Sequence, residues 1–342
     1  MLSIYDYIKY YGEYSFLDIP FNDVDNIIFS TLSYLPLEKI DYHEEDKIDA
    51  ILEKLEKIDI NNKTLGYKSV DILKLIYNTK RYNEIKLTNF YNILDDKTQF
   101  SAISIVFLDY LYVSFRGTDN SIVGWKEDFE LCYNYPTIAQ INAKEYLENI
   151  SSKYEKIIVG GHSKGGNLAV ASVIGVSDLV QEKVLKVYNN DGPGFLDSEV
   201  NSLSFNKVLN KIVTIIPEES SVGIIMKNPN IKVIKSSKTK IGQHDLTSWE
   251  CFGSILIPGS LSNISIMSQN KIISWINSTT ILDRKRVVES FFEILKRSNI
   301  KEFRELKNVN IYQLQSMIKE ANSISKDDEK MILETLKMFF RS

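Results

Sequence analysis

The run Ile157-Ile158-Val159-Gly160-Gly161-His162-Ser163-Lys164-Gly165-Gly166-Asn167-Leu168-Ala169-Val170-Ala171 constrains this chain more than any other stretch. The β-branched residues at its start predict a short buried strand, and the small apolar residues at its end predict a helix. A sharp turn at Gly161-His162-Ser163-Lys164-Gly165 must join them, which makes this a G-x-S-x-G nucleophile elbow. A serine at the top of such a turn has strained backbone angles, and a side chain at Gly161 or Gly165 would collide with the neighbouring strand or helix. The free N–H groups and positive dipole end of the following helix point to where negative charge develops in acyl transfer. The plainer alternative is a glycine-rich turn carrying an idle serine, and the apolar context on both sides favours the elbow.

Composition narrows the class. At 342 residues, 44% hydrophobic and 25% charged, the chain is long enough for one large domain with additions. Its net charge of −4, with no strongly basic region, argues against nucleic acid as the main partner. Cys132 and Cys251 do not make a disulfide framework and fit a reducing compartment. The opening Met1-Leu2-Ser3-Ile4-Tyr5-Asp6-Tyr7 has neither a basic n-region nor an apolar h-region, so no signal peptide is expected. No apolar run approaches the length of a membrane span, and the expected location is cytoplasmic. His43 lies among acids in Asp41-Tyr42-His43-Glu44-Glu45-Asp46, but no second ligand set accompanies it. That run reads as solvated surface, and neither metal nor cofactor is expected.

From residue 1 to about 91 the chain reads mostly as helices. Asn22 or Asp23 caps a helix through Val24, Ile27, Ile28, Leu32 and Leu35, which Pro36 stops. Ile48, Ile51, Leu52 and Leu55 mark one apolar face, and Val70, Leu73, Leu75 and Ile76 a further helix. Near Gln99 the character changes to two strands, 101–108 and 111–115, with Asp109-Tyr110 as the hairpin turn. Buried strands are expected at 156–160, 184–190, 211–216 and 231–234, with helical patterns at 139–154 and 168–179 between them. This alternation predicts an α/β architecture, a largely parallel sheet with an antiparallel edge. No internal repeat or low-complexity tract is visible. After Pro258-Gly259 the chain returns to helices, one over 284–295 and a last one from about Asp327, capped by Ser325 with Asp328. The expected division is an N-terminal helical segment over 1–97, an α/β core over 98–260 and a helical C-terminal addition over 261–342.

A second landmark closes the edge strand: Phe115-Arg116-Gly117-Thr118-Asp119, followed by Trp125 and Asp128. Phe-Arg-Gly-Thr, then W-x-x-D, then a G-H-S-x-G-G elbow resembles the class 3, fungal-type lipases of the α/β-hydrolase superfamily. The segments Phe21-Asn22-Asp23-Val24-Asp25, Leu32-Ser33-Tyr34 and Asp191-Gly192-Pro193-Gly194-Phe195 look more like a bacterial branch, the Mbeg-like hydrolases. The similarity covers most of residues 1–260 and implies an α/β-hydrolase fold. It also implies that Thr118 supplies one oxyanion-hole donor and the backbone N–H of Lys164 the other. Two such donors must converge about 3 Å from the developing oxyanion. Gly117 lets the loop approach closely. By the same resemblance, Arg116 and Asp128 form an ion pair that holds it.

A serine nucleophile needs a base, and the chain has three histidines. His162 adjoins the nucleophile and supports the turn, and His43 lies far upstream. His244 follows the last strand, where α/β-hydrolases carry their catalytic histidine, and the order Ser, acid, His is kept. The acid is open. Asp191 follows the strand at 184–190, as the acid of pancreatic-type lipases does. Class 3 lipases take theirs from the loop after the next strand, which here reads Glu218-Glu219-Ser220-Ser221-Val222-Gly223, with Ser220 as the counterpart of their aspartate. Asp191 is the first choice, Glu218 or Glu219 the alternative, and Asp197 and Asp245 complete the set.

These residues imply a serine esterase or lipase-like hydrolase working through an acyl-enzyme on a small acyl ester or lipid. A lid at 120–135 would suit the glycine within Ser121-Ile122-Val123-Gly124-Trp125; the equal alternative is that these residues pack under the sheet edge. The rival from another class is an inactive hydrolase scaffold acting as a binding module. A phosphate loop is excluded, because Gly-Lys-Ser/Thr is absent.

Overall fold

Strands buried on both faces carry near-continuous apolar runs, and Val-rich and Ile-rich segments of that kind organise the centre of this molecule. The computed structural model describes residues 2–300 except 45 and 63, together with 302 and 305. The N-terminal part holds β1 (Leu2–Ser3), α1 (Ile4–Tyr11), α2 (Asp23–Leu32), α3 (Ile48–Leu55) and α4 (Tyr67–Tyr77). The edge of the main sheet follows as β2 (Lys86–Leu94), β3 (Gln99–Phe107) and β4 (Tyr110–Phe115), then α5 (Ile122–Glu130) and α6 (Ile138–Ile150). Next come β5 (Lys156–His162), α7 (Lys164–Gly175), α8 (Asp178–Lys183), β6 (Val184–Asn190), α9 (Asp197–Val200) and α10 (Leu203–Val208). The chain continues through β7 (Ile212–Pro217), β8 (Ile231–Ile234), β9 (Glu250–Phe252) and β10 (Ile255–Leu256) to α11 (Asn263–Ser278) and α12 (Ile281–Arg297).

Seven strands form one sheet in the order β2-β3-β4-β5-β6-β7-β8. The β2–β3 and β3–β4 pairs are antiparallel, and every pair from β4 to β8 is parallel. Alternate residues of the strands face opposite layers. Tyr112, Ile158 and Tyr188 pack with α1–α4, whereas Val113, Ile157, Val159 and Val187 pack with α6, α7 and α10. Burying one such aliphatic side chain stabilises the fold by about 1.5–3 kcal/mol, so the two layers fix the register of the sheet. A mostly parallel sheet between two helical layers, with a strand–elbow–helix unit on its middle strand, is the α/β-hydrolase fold.

Two expectations need correction. Residues 86–94, expected within the helical N-terminal segment, form the edge strand β2. Its alternation is broken by a register shift between Thr88 and Tyr91, with Asn89 at φ 51°, which hides the period-two pattern. The β3–β4 turn uses Leu108-Asp109, with Leu108 at φ 48°, because Tyr110 already pairs with Phe107. The helix expected from about Asp327, with its Ser325 cap, lies outside the described residues.

At the N-terminus of α2 it is Asn22 that caps, its side chain accepting from Val24 and Asp25 while Asp25 reaches back to Asn22. The small sheet β1-β9-β10 ties the N-terminus to the segment after His244. α12 packs on α5 through Val287, Val288, Phe291 and Phe292 against Ile122, Trp125 and Phe129.

Candidate active site

β5 ends at His162 and α7 begins at Lys164, which leaves Ser163 alone at the turn with φ 56° and ψ −132°. A side chain in that region costs of order 1–3 kcal/mol and persists only where its surroundings enforce it. Here Ser163 N–H donates to Asn190 O (3.0 Å), and Gly166 N–H donates to Ser163 O (2.9 Å). A Cβ on Gly161 would overlap the Gly165 carbonyl, and one on Gly165 would overlap the Phe115 carbonyl. The two glycines are what let β5, α7 and β4 converge beneath the serine.

The end of β6 supplies a buried carboxylate. Asp191 sits at φ 49° with its N–H donating to Ile215 O (2.8 Å). Its Oδ2 is 2.6 Å from His244 Nδ1, and its Oδ1 accepts from Ser220 Oγ (2.5 Å) and the Gly223 N–H (3.0 Å). Asp191 is fully buried, while the His244 side chain keeps 23% of its surface exposed. The fold therefore brings His244 to Asp191 and sets its ring against that of His162, with centroids 4.4 Å apart and the ring planes tilted by 41°. Among the described residues no hydrogen bond joins Ser163 Oγ to the His244 imidazole; such bonds often tighten only when substrate is bound.

The other carboxylates are used elsewhere. Glu218 Oε1 accepts from the Ser260 N–H (3.2 Å), and Glu219 Oε2 accepts from the Lys240 N–H and from Gln243 Nε2. Neither reaches His244, so both give way to Asp191 as partner of the histidine. Asp197 pairs with Lys227. Asp245 is bound by Lys68, Lys238 and Thr247; burial works to raise its pKa, but these partners outweigh it and hold the carboxyl down at about 2.

On the opposite side lies the loop after β4. A Cβ on Gly117 would come 2.7 Å from His162 O and 3.0 Å from Ser163 Cβ, so only glycine lets this loop lie against the elbow. Thr118 Oγ1 donates to Asp128 Oδ2 (2.6 Å). The Thr118 N–H makes no hydrogen bond among the described residues. Lys164 is the first residue of α7, where N–H groups have no intrahelical acceptor. The expected Arg116–Asp128 ion pair is not formed. Arg116 instead donates from Nε to Ser33 O (2.7 Å) and from Nη2 to Leu35 O (2.7 Å) and Glu38 (3.2 Å). The carbonyls at and just beyond the C-terminal end of α2 lack intrahelical donors, and a fork of N–H groups satisfies them better than a single carboxylate would satisfy the arginine. Burial pushes the Asp128 carboxyl up to about 6, against the lowering effects of Lys164 and of Thr118. Its Oδ1 is closed off from solvent and has no partner.

One feature of the site escaped the sequence reading. Lys164 is buried along its whole side chain, with Nζ donating to Gln99 O (2.7 Å) and Glu127 Oε2 (3.1 Å). Glu127 also accepts from Thr98 Oγ1 and the N–H groups of Gln99 and Ala139. α5, within the segment that the sequence leaves open as a lid or as packing under the sheet edge, is thus fastened by Glu127 to β3, α6 and Lys164 and packed against α12. Lys164 and Glu127 are 37 positions apart, and nothing in the sequence shows that they meet.

Residues 76–293, more than half of the chain, match the Mbeg1-like family. The chain belongs to that family. No curated protein matches it. Among solved structures it is similar to the Rhizomucor miehei lipase in its propeptide complex, at 14% identity over 62% of this chain and 67% of that one, with a TM-score of 0.39. It is also similar to the lipase from Rhizopus microsporus var. chinensis, at 16% identity over 62% of this chain and 76% of that one (TM-score 0.34). A third is the Lip2 lipase from Yarrowia lipolytica, at 14% identity over 52% and 72% (TM-score 0.32). Among the described residues no helix is long and apolar enough to cross a membrane, and no group of three or more His, Cys, Asp or Glu is placed to hold a metal ion.

Proposed function

We propose that this Mbeg1-like protein is a serine hydrolase that cleaves an acyl ester or acyl lipid. The observation that carries the reading is Ser163 held at positive φ between two glycines and bonded through its N–H to Asn190, with the next residue, buried Asp191, paired to the partly exposed His244. In this mechanism His244 Nε2 takes the proton from Ser163 Oγ as that oxygen attacks the acyl carbonyl. The tetrahedral oxyanion is held by the backbone N–H groups of Thr118 and Lys164. His244 then gives its proton to the departing alkoxide, and the C–O bond of the ester breaks. Water, deprotonated by the same imidazole, attacks the acyl-enzyme and frees the acid and the serine. Asp191 keeps Nδ1 protonated and steadies the imidazolium, and Asp128 holds the Thr118 loop through the threonine hydroxyl. The two unpaired, buried cysteines support a reducing compartment.

The absence of a Ser163–His244 hydrogen bond among the described residues favours a second reading, an inactive scaffold that binds a partner. Turnover of p-nitrophenyl esters of graded chain length separates the two. The hydrolase reading expects hydrolysis that falls at least about 10³-fold in folded Ser163→Ala and His244→Ala. Equal turnover in parent and variants would leave the scaffold reading.

A further inference from the structure

Tyr34 and His162 are polar side chains at the elbow that the mechanism above does not use. Each of their polar atoms has a partner, and the partners decide which atom donates. The His244 carbonyl can only accept, so His162 Nε2 carries the proton and donates to it across 2.7 Å. A neutral imidazole then leaves Nδ1 as an acceptor, and the Tyr34 hydroxyl donates to it across 2.9 Å. The same hydroxyl oxygen accepts the backbone N–H of Gly117 at 3.1 Å. Burial pushes His162 well below its ordinary pKa, which keeps the neutral form that these roles require.

The chain of bonds joins four distant parts of the sequence. It starts at Gly117, the neighbour of Thr118, passes through Tyr34 just beyond α2 and the residue before Ser163, and finishes on the backbone of His244. We propose that Tyr34 and His162 are positioning residues, a neutral strut that fixes the oxyanion loop and the catalytic-histidine loop relative to each other across Ser163. The proposal rests on the hydrolase reading given above. A Cβ on Gly117 would overlap the Tyr34 hydroxyl, so the glycine that lets the loop approach Ser163 also admits the strut. The strut exchanges no proton with the substrate and acts through the Gly117 and His244 backbone and through the ring it lays against the His244 imidazole, so it acts on groups that matter most in the transition state. Its loss lowers kcat and leaves KM nearly unchanged.

The test uses the full chain with Tyr34→Phe, His162→Gln and His162→Asn, each with its unfolding curve, kcat and KM on the ester the parent hydrolyses best. Tyr34→Phe is expected to fold and to lose roughly 10–100-fold in kcat, with KM within about two-fold. His162→Gln places an amide N–H near the Nε2 position and keeps the arm to His244. It is expected to retain more activity than His162→Asn, which keeps only the arm to Tyr34. Folded Tyr34→Phe with kcat within about two-fold of the parent, or a loss confined to KM, overturns the proposal. A readout free of turnover is the ¹⁵N imidazole spectrum of the three histidines. His162 is expected as the Nε2–H tautomer, with its Nδ1 resonance shifted by Tyr34→Phe. The Nδ1–H tautomer would show that the strut does not exist. A parent that hydrolyses no ester and takes no serine-directed label defeats the hydrolase reading, and the positioning role with it, even where the spectrum shows the strut.

Discussion

Asp191 and Asp128 lie on opposite sides of the elbow, and their surroundings differ in donor supply. Asp191 receives Ser220 Oγ and the Gly223 N–H on one oxygen and faces the His244 ring with the other. Asp128 receives a single hydroxyl, from Thr118, and its second oxygen is sealed without a partner. A carboxylate that must stay ionised beside a forming imidazolium needs donors to offset its burial. One that serves as a clamp for a loop needs only an acceptor, and an amide oxygen would serve as well. The difference in donor count therefore separates a charge role from a geometric one.

The largest expected effect breaks the pair apart. Asp191→Asn should lower kcat by about 10³–10⁴-fold, since the amide selects the wrong tautomer of His244 and offers no charge to the imidazolium. Asp128→Asn keeps an acceptor for the Thr118 hydroxyl and should cost less than about ten-fold. Equal losses in the two variants, measured under the same steady-state conditions, would erase the distinction.

The second test is stability against pH. With the folded carboxyl of Asp128 raised to about 6, the folded state holds that proton where the unfolded chain has already released it. The stabilisation is complete below the unfolded value and is lost as pH rises through about 6. Its size is about 1–3 kcal/mol. Asp128→Asn should therefore gain stability over the parent at pH 7.5 and little or none at pH 4.5, as read from urea unfolding curves. A constant gap between parent and variant would show that the carboxyl titrates normally.

The smallest effect sharpens the account of Asp191. Ser220→Ala removes one of its donors but leaves Gly223 and His244 in place. The expected loss is about three- to ten-fold in kcat, below the about 1.5–3 kcal/mol of a hydrogen bond to a charged group, because the Gly223 N–H continues to donate to the same oxygen. A loss as large as that of Asp191→Asn would mean that Ser220, not the carboxylate alone, orients the histidine.

Much of the candidate site is legible in the sequence because its parts are local or few. The elbow is one continuous run, and His244 stands out among three histidines by its place after β8. Asp191 stands out at the end of β6, and the structure sets it 2.6 Å from His244 Nδ1. What cannot be read are meetings between distant segments. The burial of Lys164 against Glu127, the turn of Arg116 toward the end of α2, and the Tyr34–His162 contact all depend on how the layers pack. The edge strand β2 was hidden by its own bulge and by Lys86, Asn89 and Asn92, residues poor in strand propensity. Ser220 was visible only as a serine where an acid was sought, and its hydroxyl instead donates to the acid on the neighbouring strand.

The central claim is that Ser163 is activated by His244. The direct measurement is the site and rate of fluorophosphonate labelling on the full chain, with the adduct located by mass spectrometry. The account predicts one adduct on Ser163, absent in Ser163→Ala and slowed at least about 10³-fold in His244→Ala. An adduct on another residue, or labelling of Ser163 at an unchanged rate without His244, would contradict it.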